Sequence, residues 1–122
     1  MTRNSKESAP PAPLSPATFH VLLALAGEDL HGYAILKEVE QSTGGSVTLS
    51  TGTLYGILKR LLADGLIIES RSRPSARGED ERRRYYRLTP SGREVASAEA
   101  ERMDQLVTDA RARRLLGKLR PA

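Results

Sequence analysis

The 122-residue sequence contains no cysteine, only two histidines, and only five aromatic residues, which are four tyrosines and one phenylalanine. Without cysteine the chain has no disulfide, no thiolate zinc site and no cysteine nucleophile. His20 and His31 lie on different predicted elements, and no serine, histidine and acid spacing surrounds them. Two histidines are also too few for a metal site. The sequence therefore predicts a protein that is not an enzyme, with no catalytic residue, no cofactor and no metal.

Long hydrophobic runs are also missing. The longest covers residues 21–26, whereas a transmembrane helix needs roughly 20 apolar residues. The N-terminus lacks the charged and then apolar order of a signal peptide. Residues 1–13, "MTRNSKESAPPAP", are polar and proline-rich and predict a disordered arm. We therefore expect a cytoplasmic protein with no membrane partner.

The charge that is present is basic. The formal net charge is +4 and the isoelectric point is about 9.8, which suits an anionic partner such as a nucleic acid. A chain of this length favours one domain with a single modest core. Proteins that bind single-stranded RNA stack bases on exposed aromatic side chains. Because aromatic residues are scarce here, RNA ranks behind DNA as the expected partner.

Two helices are predicted before residue 46. The first begins after Ser15 as N-cap, with Pro16 at its first position, and ends at Gly27. Its apolar residues at helical spacing are Phe19, Leu22, Leu23 and Ala26. The second lies within residues 28–45, where His31 is expected to help the helix start and two glycines to end it. Its predicted inner stripe consists of Tyr33, Leu36 and Val39.

The clearest period in the chain predicts a third helix. It begins at Ser50 or Thr51 as N-cap and ends near Gly65. Its apolar stripe consists of Leu54, Ile57, Leu58, Leu61 and Leu62. The opposite face consists of Gly52, Gly56, Lys59 and Ala63, flanked by Thr53, Tyr55 and Arg60. Missing side chains on an otherwise polar and basic face allow a helix backbone to approach another surface closely. Threonine, tyrosine, lysine and arginine supply donors for DNA phosphates and base edges.

A basic β-hairpin is predicted next. Residues 66–73 and 82–88 are short β-branched or aromatic runs separated by "PSARGEDE". The arginines of this region are Arg71, Arg73, Arg77, Arg82, Arg83, Arg84 and Arg87. Three helices followed by such a hairpin predict a winged helix-turn-helix, whose third helix enters the major groove while the wing follows the backbone or minor groove.

The last helix is predicted to begin with Thr89 as N-cap and Pro90 as its first residue, with no breaker before Gly117. A helix of that length extends roughly 40 Å, too far for a small domain to cover all its apolar positions. Candidates for a partner's surface are Val95, Met103, Leu106, Val107, Ala110, Leu115 and Leu116. A helical protein-binding adaptor is therefore the main alternative to a DNA-binding protein.

Three segments resemble the PadR-like transcriptional regulators: "LHGYAILKEVE", "LSTGTLYGILKRLLADGLI" and "RRRYYRLTPSGRE". They cover roughly residues 15–115 in the family's order. The resemblance implies a dimeric bacterial winged-helix repressor that binds a roughly palindromic double-stranded operator. It also implies subunit pairing through the C-terminal helix, and often release by a small-molecule effector or another signal. Because the chain ends soon after one C-terminal helix, we expect the short branch of the family, without a large effector domain.

The resemblance also implies roles for particular residues. Thr51, Thr53, Tyr55 and Lys59 correspond to DNA-facing positions, Tyr85 and Tyr86 to paired wing tyrosines, and Tyr33 to a structural position. Gly56 departs from the family, in which many relatives have proline. The acidic run at residues 79–81 would repel phosphate, so Arg77 and the strand arginines are expected to contact DNA. The complete predicted DNA-binding set is Thr51, Gly52, Thr53, Tyr55, Gly56, Lys59, Arg60, Arg77, Arg83, Arg84 and Tyr85.

The resulting interpretation is a mainly α fold with a small β-hairpin, in four parts. These are a disordered arm at 1–13, a winged-helix domain at 14–89, a dimerisation helix at 90–117 and a tail at 118–122. The predicted dimerisation residues are Val95, Met103, Leu106, Val107 and Ala110.

Overall fold

The computed structural model describes residues 13–70 and 84–117. Within them the chain forms four helices and three strands: α1 (Pro16–Gly27), β1 (Leu30–His31), α2 (Gly32–Ser42), α3 (Thr51–Ala63), β2 (Ile67–Ser70), β3 (Tyr85–Leu88) and α4 (Pro90–Ala112). The predicted fold class, mainly helical with a small antiparallel sheet, is confirmed. Residues 1–12 of the predicted arm, the acidic run at 79–81 and the tail at 118–122 lie outside the described residues. The same holds for five of the predicted hairpin arginines: Arg71, Arg73, Arg77, Arg82 and Arg83.

Hydroxyl side chains begin three of the helices where the sequence predicted. Ser15 Oγ accepts a hydrogen bond from the Thr18 amide at 3.1 Å. Ser50, rather than Thr51, caps α3 and accepts from the Thr53 amide at 3.0 Å. The Thr89 hydroxyl accepts from the Gly92 amide at 3.0 Å. Each cap satisfies a backbone donor that has no partner inside its own helix.

The residues that end the helices also lie directly after them in the sequence. Gly44 and Gly65 follow α2 and α3 with φ of +64° and +74°, a left-handed conformation that glycine adopts without steric cost. At the end of α4 the same role falls to Arg114, with φ of +66°. The Leu115 amide then donates to the Ala110 carbonyl at 2.8 Å. The prediction that α4 continues to Gly117 is therefore wrong, and its 23 residues extend about 35 Å.

The sheet contains a strand that the sequence pattern did not predict. The strand order is β1-β3-β2, and all neighbours are antiparallel. Residues 28–31 were predicted to belong to the second helix, but they instead contain β1, in which Leu30 pairs with Tyr86. The second helix begins only at Gly32, because His31 Nδ1 accepts from the Ala34 amide at 3.2 Å and caps it. The expected role of His31 at the helix start is confirmed.

The core lies between the helices and one face of the sheet. Its buried residues are Val21, Leu22, Leu25, Ile35, Val39, Leu54, Leu58, Leu61, Ile67, Tyr86 and Leu88. Three members of the predicted leucine stripe of α3 are buried, and Ile57 and Leu62 pack at the edge of the core. The prediction that Tyr33 lies on the inner stripe is wrong, because Tyr33 is 61% exposed. Of the apolar residues at helical spacing in α1, Leu23 is 50% exposed. Because α2 starts at Gly32, its buried face consists of Gly32, Ile35 and Val39. Tyr33 is one residue after Gly32 and therefore points about 100° away from it around the helix axis.

The start of α4 is attached to the turn that follows α3. The Thr89 amide donates to the Leu66 carbonyl at 3.1 Å, and the Thr89 hydroxyl donates to the Gly65 carbonyl at 2.8 Å. Gly92 is buried there, and a Cβ on it would lie 2.0 Å from the Leu66 carbonyl oxygen. The first turn of α4 therefore depends on a glycine at position 92.

Farther along, α4 packs against the rest of its own chain through one side. Val95 is partly buried against the core, although the sequence suggested it for the subunit interface. Glu99 is buried and accepts a hydrogen bond from Arg102 Nε at 3.2 Å. Hydrogen bonding from Arg102 lowers the pKa of Glu99, and an interaction with the Leu14 backbone acts in the same direction. These contacts join α4 to the segment that precedes α1.

Candidate nucleic-acid interface

One face of α3 is open along its whole length. Leu54, Leu58 and Leu61 bury the opposite face in the core. The exposed residues of α3 include all those that the sequence predicted for DNA contact on this helix: Thr51, Gly52, Thr53, Tyr55, Gly56, Lys59 and Arg60. These seven predicted residues therefore lie together on the exposed side of one helix.

The fold itself does not require the two glycines of α3. Positions 52 and 56 each have no neighbouring heavy atom within 4 Å of where a Cβ would lie. Neither has the positive φ found at Gly44, Gly45 and Gly65. Gly56 lies within the helix, where glycine costs about 1 kcal/mol relative to alanine. Neither packing within the described part of the chain nor backbone conformation therefore explains why glycine occupies these two positions.

The first turn of α3 presents donors to solvent. Ser50 Oγ also donates to Thr53 Oγ1 at 3.0 Å. Thr53 therefore accepts from its neighbour and keeps its own proton for a further acceptor. The helix dipole adds partial positive charge at this end. Such a turn suits an anionic group such as a phosphate.

The far half of the same face carries two cations. Lys59 and Arg60 are exposed, and neither forms an ion pair within the described part of the chain. Their charges are therefore not neutralised by a neighbouring carboxylate there. Unpaired lysine and arginine side chains are the usual partners of DNA phosphates.

Tyr55 lies at the edge of this face and contacts α2. A Cβ built on Gly32 would be 2.3 Å from the Tyr55 hydroxyl oxygen, so a larger residue at position 32 would displace the end of this tyrosine side chain. Tyr55 remains 46% exposed. The Tyr55 side chain therefore contacts α2 and also borders the open face of α3.

Two described arginines of the hairpin are paired with carboxylates. Arg84 Nη1 lies 3.3 Å from Glu69 on the neighbouring strand, and both side chains are well exposed. An exposed pair of this kind is weak and does not prevent Arg84 from contacting another anion.

Arg87 has a structural partner that the sequence did not indicate. Its Nη2 donates to Asp29 Oδ2 at 2.9 Å and its Nε to the same oxygen at 3.2 Å. This hydrogen bonding, together with the charge of Asp29, raises the pKa of Arg87. Ser70 Oγ donates to the same carboxylate at 3.0 Å. Asp29 therefore ties the end of β2 and the middle of β3 to the segment before β1.

The adjacent wing tyrosines have different environments. Tyr86 is buried in the core, and its burial raises the pKa of its hydroxyl. Tyr85 is partly buried, and its ring lies edge-on to His31 with 5.2 Å between the ring centroids. Of the predicted wing contacts, Arg84 and Tyr85 are thus described at the base of the hairpin, while Arg77 and Arg83 lie outside the described residues.

The candidate dimerisation residues occupy the second half of α4. Leu106 is 53% exposed and Val107 is 42% exposed, while Met103 and Ala110 are partly buried. Solvent therefore reaches a short apolar segment in a half of α4 that also carries charged and polar residues. No helix among the described residues is long and apolar enough to cross a membrane.

The helices α1 to α3, the three-stranded sheet and the exposed polar face of α3 define a winged helix-turn-helix, a class of DNA-binding protein. Residues 21–98 match the model of the Transcriptional regulator PadR-like family. The chain belongs to this family of transcriptional regulators.

Individual relatives agree with this assignment. The chain is 33% identical over 90 residues to the transcriptional regulator Rv3488 of Mycobacterium tuberculosis, which covers 74% of this chain and 78% of the relative. It is 45% identical over 86 residues to an uncharacterized 37.1 kDa protein of transposon Tn4556 from Streptomyces fradiae; that match covers 70% of this chain but only 22% of the longer protein. The crystal structure of a PadR family transcription regulator from Clostridium difficile has a TM-score of 0.68 and 26% identity, covering 80% of this chain and 97% of that chain.

Proposed function

We propose that this protein is a homodimeric repressor that binds a roughly palindromic operator and is released by a small molecule or another signal. The open face of α3 is the observation that carries the DNA-binding part of the proposal. Gly56 reduces helix stability, and neither Gly52 nor Gly56 has a packing role within the described part of the chain. A close approach to DNA accounts for both.

In the proposed complex, α3 of each subunit enters the major groove of one half-site. Lys59 and Arg60 contact phosphates, which provide affinity and position the helix, whereas Thr51 and Thr53 reach base edges. Gly52 and Gly56 allow the helix backbone to lie close to the DNA. Arg84 and Tyr85 contact the backbone from the base of the wing, and Arg77 and Arg83, outside the described residues, are also expected to contact DNA.

Dimerisation supplies the symmetry of the site. The second half of α4 packs against its counterpart through Met103, Leu106, Val107 and Ala110, so α4, which ends at Ala112, serves as the dimerisation helix and residues 14–89 serve as the DNA-binding domain. A two-fold dimer places its two recognition helices about one DNA turn, or roughly 34 Å, apart. A dimer bound at a promoter excludes RNA polymerase, and a ligand between the paired helices would alter their spacing.

The decisive experiment is a fluorescence-anisotropy titration against DNA from immediately upstream of the protein's own gene, with a scrambled duplex of equal length as the control. We expect tight, sequence-selective binding that weakens steeply with salt. Equal, weak binding to both duplexes at every salt concentration would contradict operator recognition at that site. It would favour a protein-binding adaptor that uses the apolar segment of α4.

Replacing Lys59 by alanine tests the phosphate contact. Each neutralised phosphate contributes about 0.9 to the slope of log K against log salt concentration. We therefore expect the slope of the dimer to become shallower by about 1.8, with affinity reduced on operator and scrambled DNA alike. An unchanged slope would show that Lys59 does not contact a phosphate.

Replacing Gly56 by alanine tests the close approach. Because a Cβ there meets open space, we expect the free energy of unfolding to rise by up to about 1 kcal/mol. We expect operator affinity to fall at least about tenfold, since the methyl group separates the helix backbone from the DNA. Thermal unfolding and anisotropy measure the two effects.

Gly27→Ala is the matched control for this substitution. Gly27 is also exposed, has no neighbour within 4 Å of a Cβ, and lies at the end of α1. This variant should leave operator affinity unchanged. If Gly56→Ala retains the affinity of the parent protein, the proposed role of the α3 glycines is wrong.

A further inference from the structure

We propose that Tyr33 and Lys37 on α2 form a second phosphate-binding point, which holds the DNA backbone beside the half-site that α3 occupies. This inference rests on the proposed function and extends its DNA contacts to a second helix. It assigns a binding role to a tyrosine for which a structural role was predicted.

Tyr33 is exposed where a structural tyrosine would be buried. Its side chain is 61% exposed, whereas Tyr86 lies in the core. Its ring stacks on His31 at 6.5 Å between centroids, with 12° between the ring planes. No hydrogen bond of its hydroxyl occurs among the described residues, so the phenol proton remains available to an external acceptor.

Lys37 is held next to the same ring. Its Nζ lies 5.6 Å from the centroid of the Tyr33 ring, a cation–π arrangement that limits the freedom of a long side chain. Lys37 forms no ion pair with any residue that the structure describes. A cation and a phenol one helical turn apart provide the charge and the hydrogen-bond donor that a phosphate accepts.

The contact between Gly32 and Tyr55 of α3 shows where Tyr33 and Lys37 lie relative to α3. The Tyr55 hydroxyl of α3 lies against Gly32, and Tyr33 is the next residue, with its Cα 3.8 Å farther along the chain. The start of α2 therefore borders the edge of the recognition helix. In helix-turn-helix proteins the helix that precedes the recognition helix crosses the DNA backbone, which makes a phosphate the occupant that this surface fits.

Acidic residues define the extent of the site. Glu40 is seven residues beyond Tyr33 and lies on the same face of α2, where it is exposed. Its charge would repel a second phosphate farther along the helix. The contact is therefore confined to the first half of α2 and to one phosphate per subunit.

Lys37→Gln and Tyr33→Phe test the inference by anisotropy with the same upstream and scrambled duplexes at several salt concentrations. For Lys37→Gln we expect the slope of the dimer to become shallower by about 1.8 on both duplexes, because one phosphate contact per subunit is lost. For Tyr33→Phe we expect a several-fold lower affinity with an unchanged slope, because the lost donor is neutral. Thermal unfolding should match that of the parent protein for both variants.

Arg113→Gln is the control, since it removes the same charge from the distant end of α4 and should leave the slope unchanged. If the parent binds its upstream duplex selectively and Lys37→Gln keeps the parent's slope, the inference is overturned and the proposed function stands. A lower affinity of Lys37→Gln without a shallower slope also overturns it. A parent protein that shows neither selectivity nor salt dependence contradicts the proposed function itself.

Discussion

Gly92→Ala should lower the free energy of unfolding by about 3 kcal/mol or more, even though alanine is the better helix former by about 1 kcal/mol. The added Cβ would lie 2.0 Å from the Leu66 carbonyl oxygen and 3.0 Å from a Leu88 methyl carbon. The nearest atom belongs to the backbone, so no side-chain rotation relieves the clash. The first turn of α4 must move away from the turn after α3.

Thermal and denaturant unfolding provide the measurement. A loss of about 3 kcal/mol corresponds to a decrease in Tm of roughly 12 °C or more for a domain of this size. Gly56→Ala is the matched comparison, because it makes the same chemical change in open space and should raise Tm. If Gly92→Ala has the same Tm as the parent protein, the start of α4 does not pack against Leu66 in the way that the structure shows.

This substitution should also disturb neighbouring hydrogen bonds. The Leu66 carbonyl accepts from the Thr89 amide, and the Gly65 carbonyl accepts from the Thr89 hydroxyl. Moving α4 away would leave these carbonyls partly unsatisfied, which adds to the cost of the steric clash. The same movement would displace the proposed dimerisation helix relative to α3, so operator affinity should fall together with stability.

Leu106→Asp should convert the proposed dimer to monomers and lower operator affinity at least about a hundredfold. In a two-fold interface each substitution acts twice, and burying two unpaired carboxylates is costly. A monomer binds one half-site without the gain in effective concentration that the second subunit provides. Leu106 is 53% exposed within its own chain, so the folded subunit should retain its stability.

Light scattering after size-exclusion chromatography measures the subunit state, and anisotropy measures binding. Thr108→Asp is the control, because it places the same charge on the opposite side of α4 at an exposed position. It should remain dimeric and bind the operator. A Leu106→Asp protein that stays dimeric would show that the second half of α4 is not the subunit interface.

Local sequence signals predicted most of the helical framework. A serine or threonine before proline marks the starts of α1 and α4, and Ser50 marks the start of α3. The leucine stripe of α3 correctly predicted its buried face, and the exposure of the opposite face followed from helix geometry. Because the proposed recognition of DNA by α3 depends on that exposed face, its candidate residues could also be named from sequence.

Features with distant partners were not predictable in the same way. The strand β1 has only two residues and forms by pairing with β3, more than fifty residues later. Arg87 was counted among the basic hairpin residues, but it pairs with Asp29, 58 positions away. The steric demand at Gly92 comes from the Leu66 backbone, and Gly32 lies against the Tyr55 side chain. No local pattern encodes these contacts.

The sequence by itself determined the helical periods, three of the helix starts, the glycine ends of α2 and α3, and the polar and basic character of the α3 face. These depend on interactions within a few residues, so composition and spacing are sufficient to identify them. Only the tertiary structure decided that Tyr33 is exposed, that Arg87 and Asp29 join the sheet, and that α4 starts against the turn after α3. These depend on which distant segments meet, because a side chain's burial and partners are set by the packed neighbours that folding brings to it.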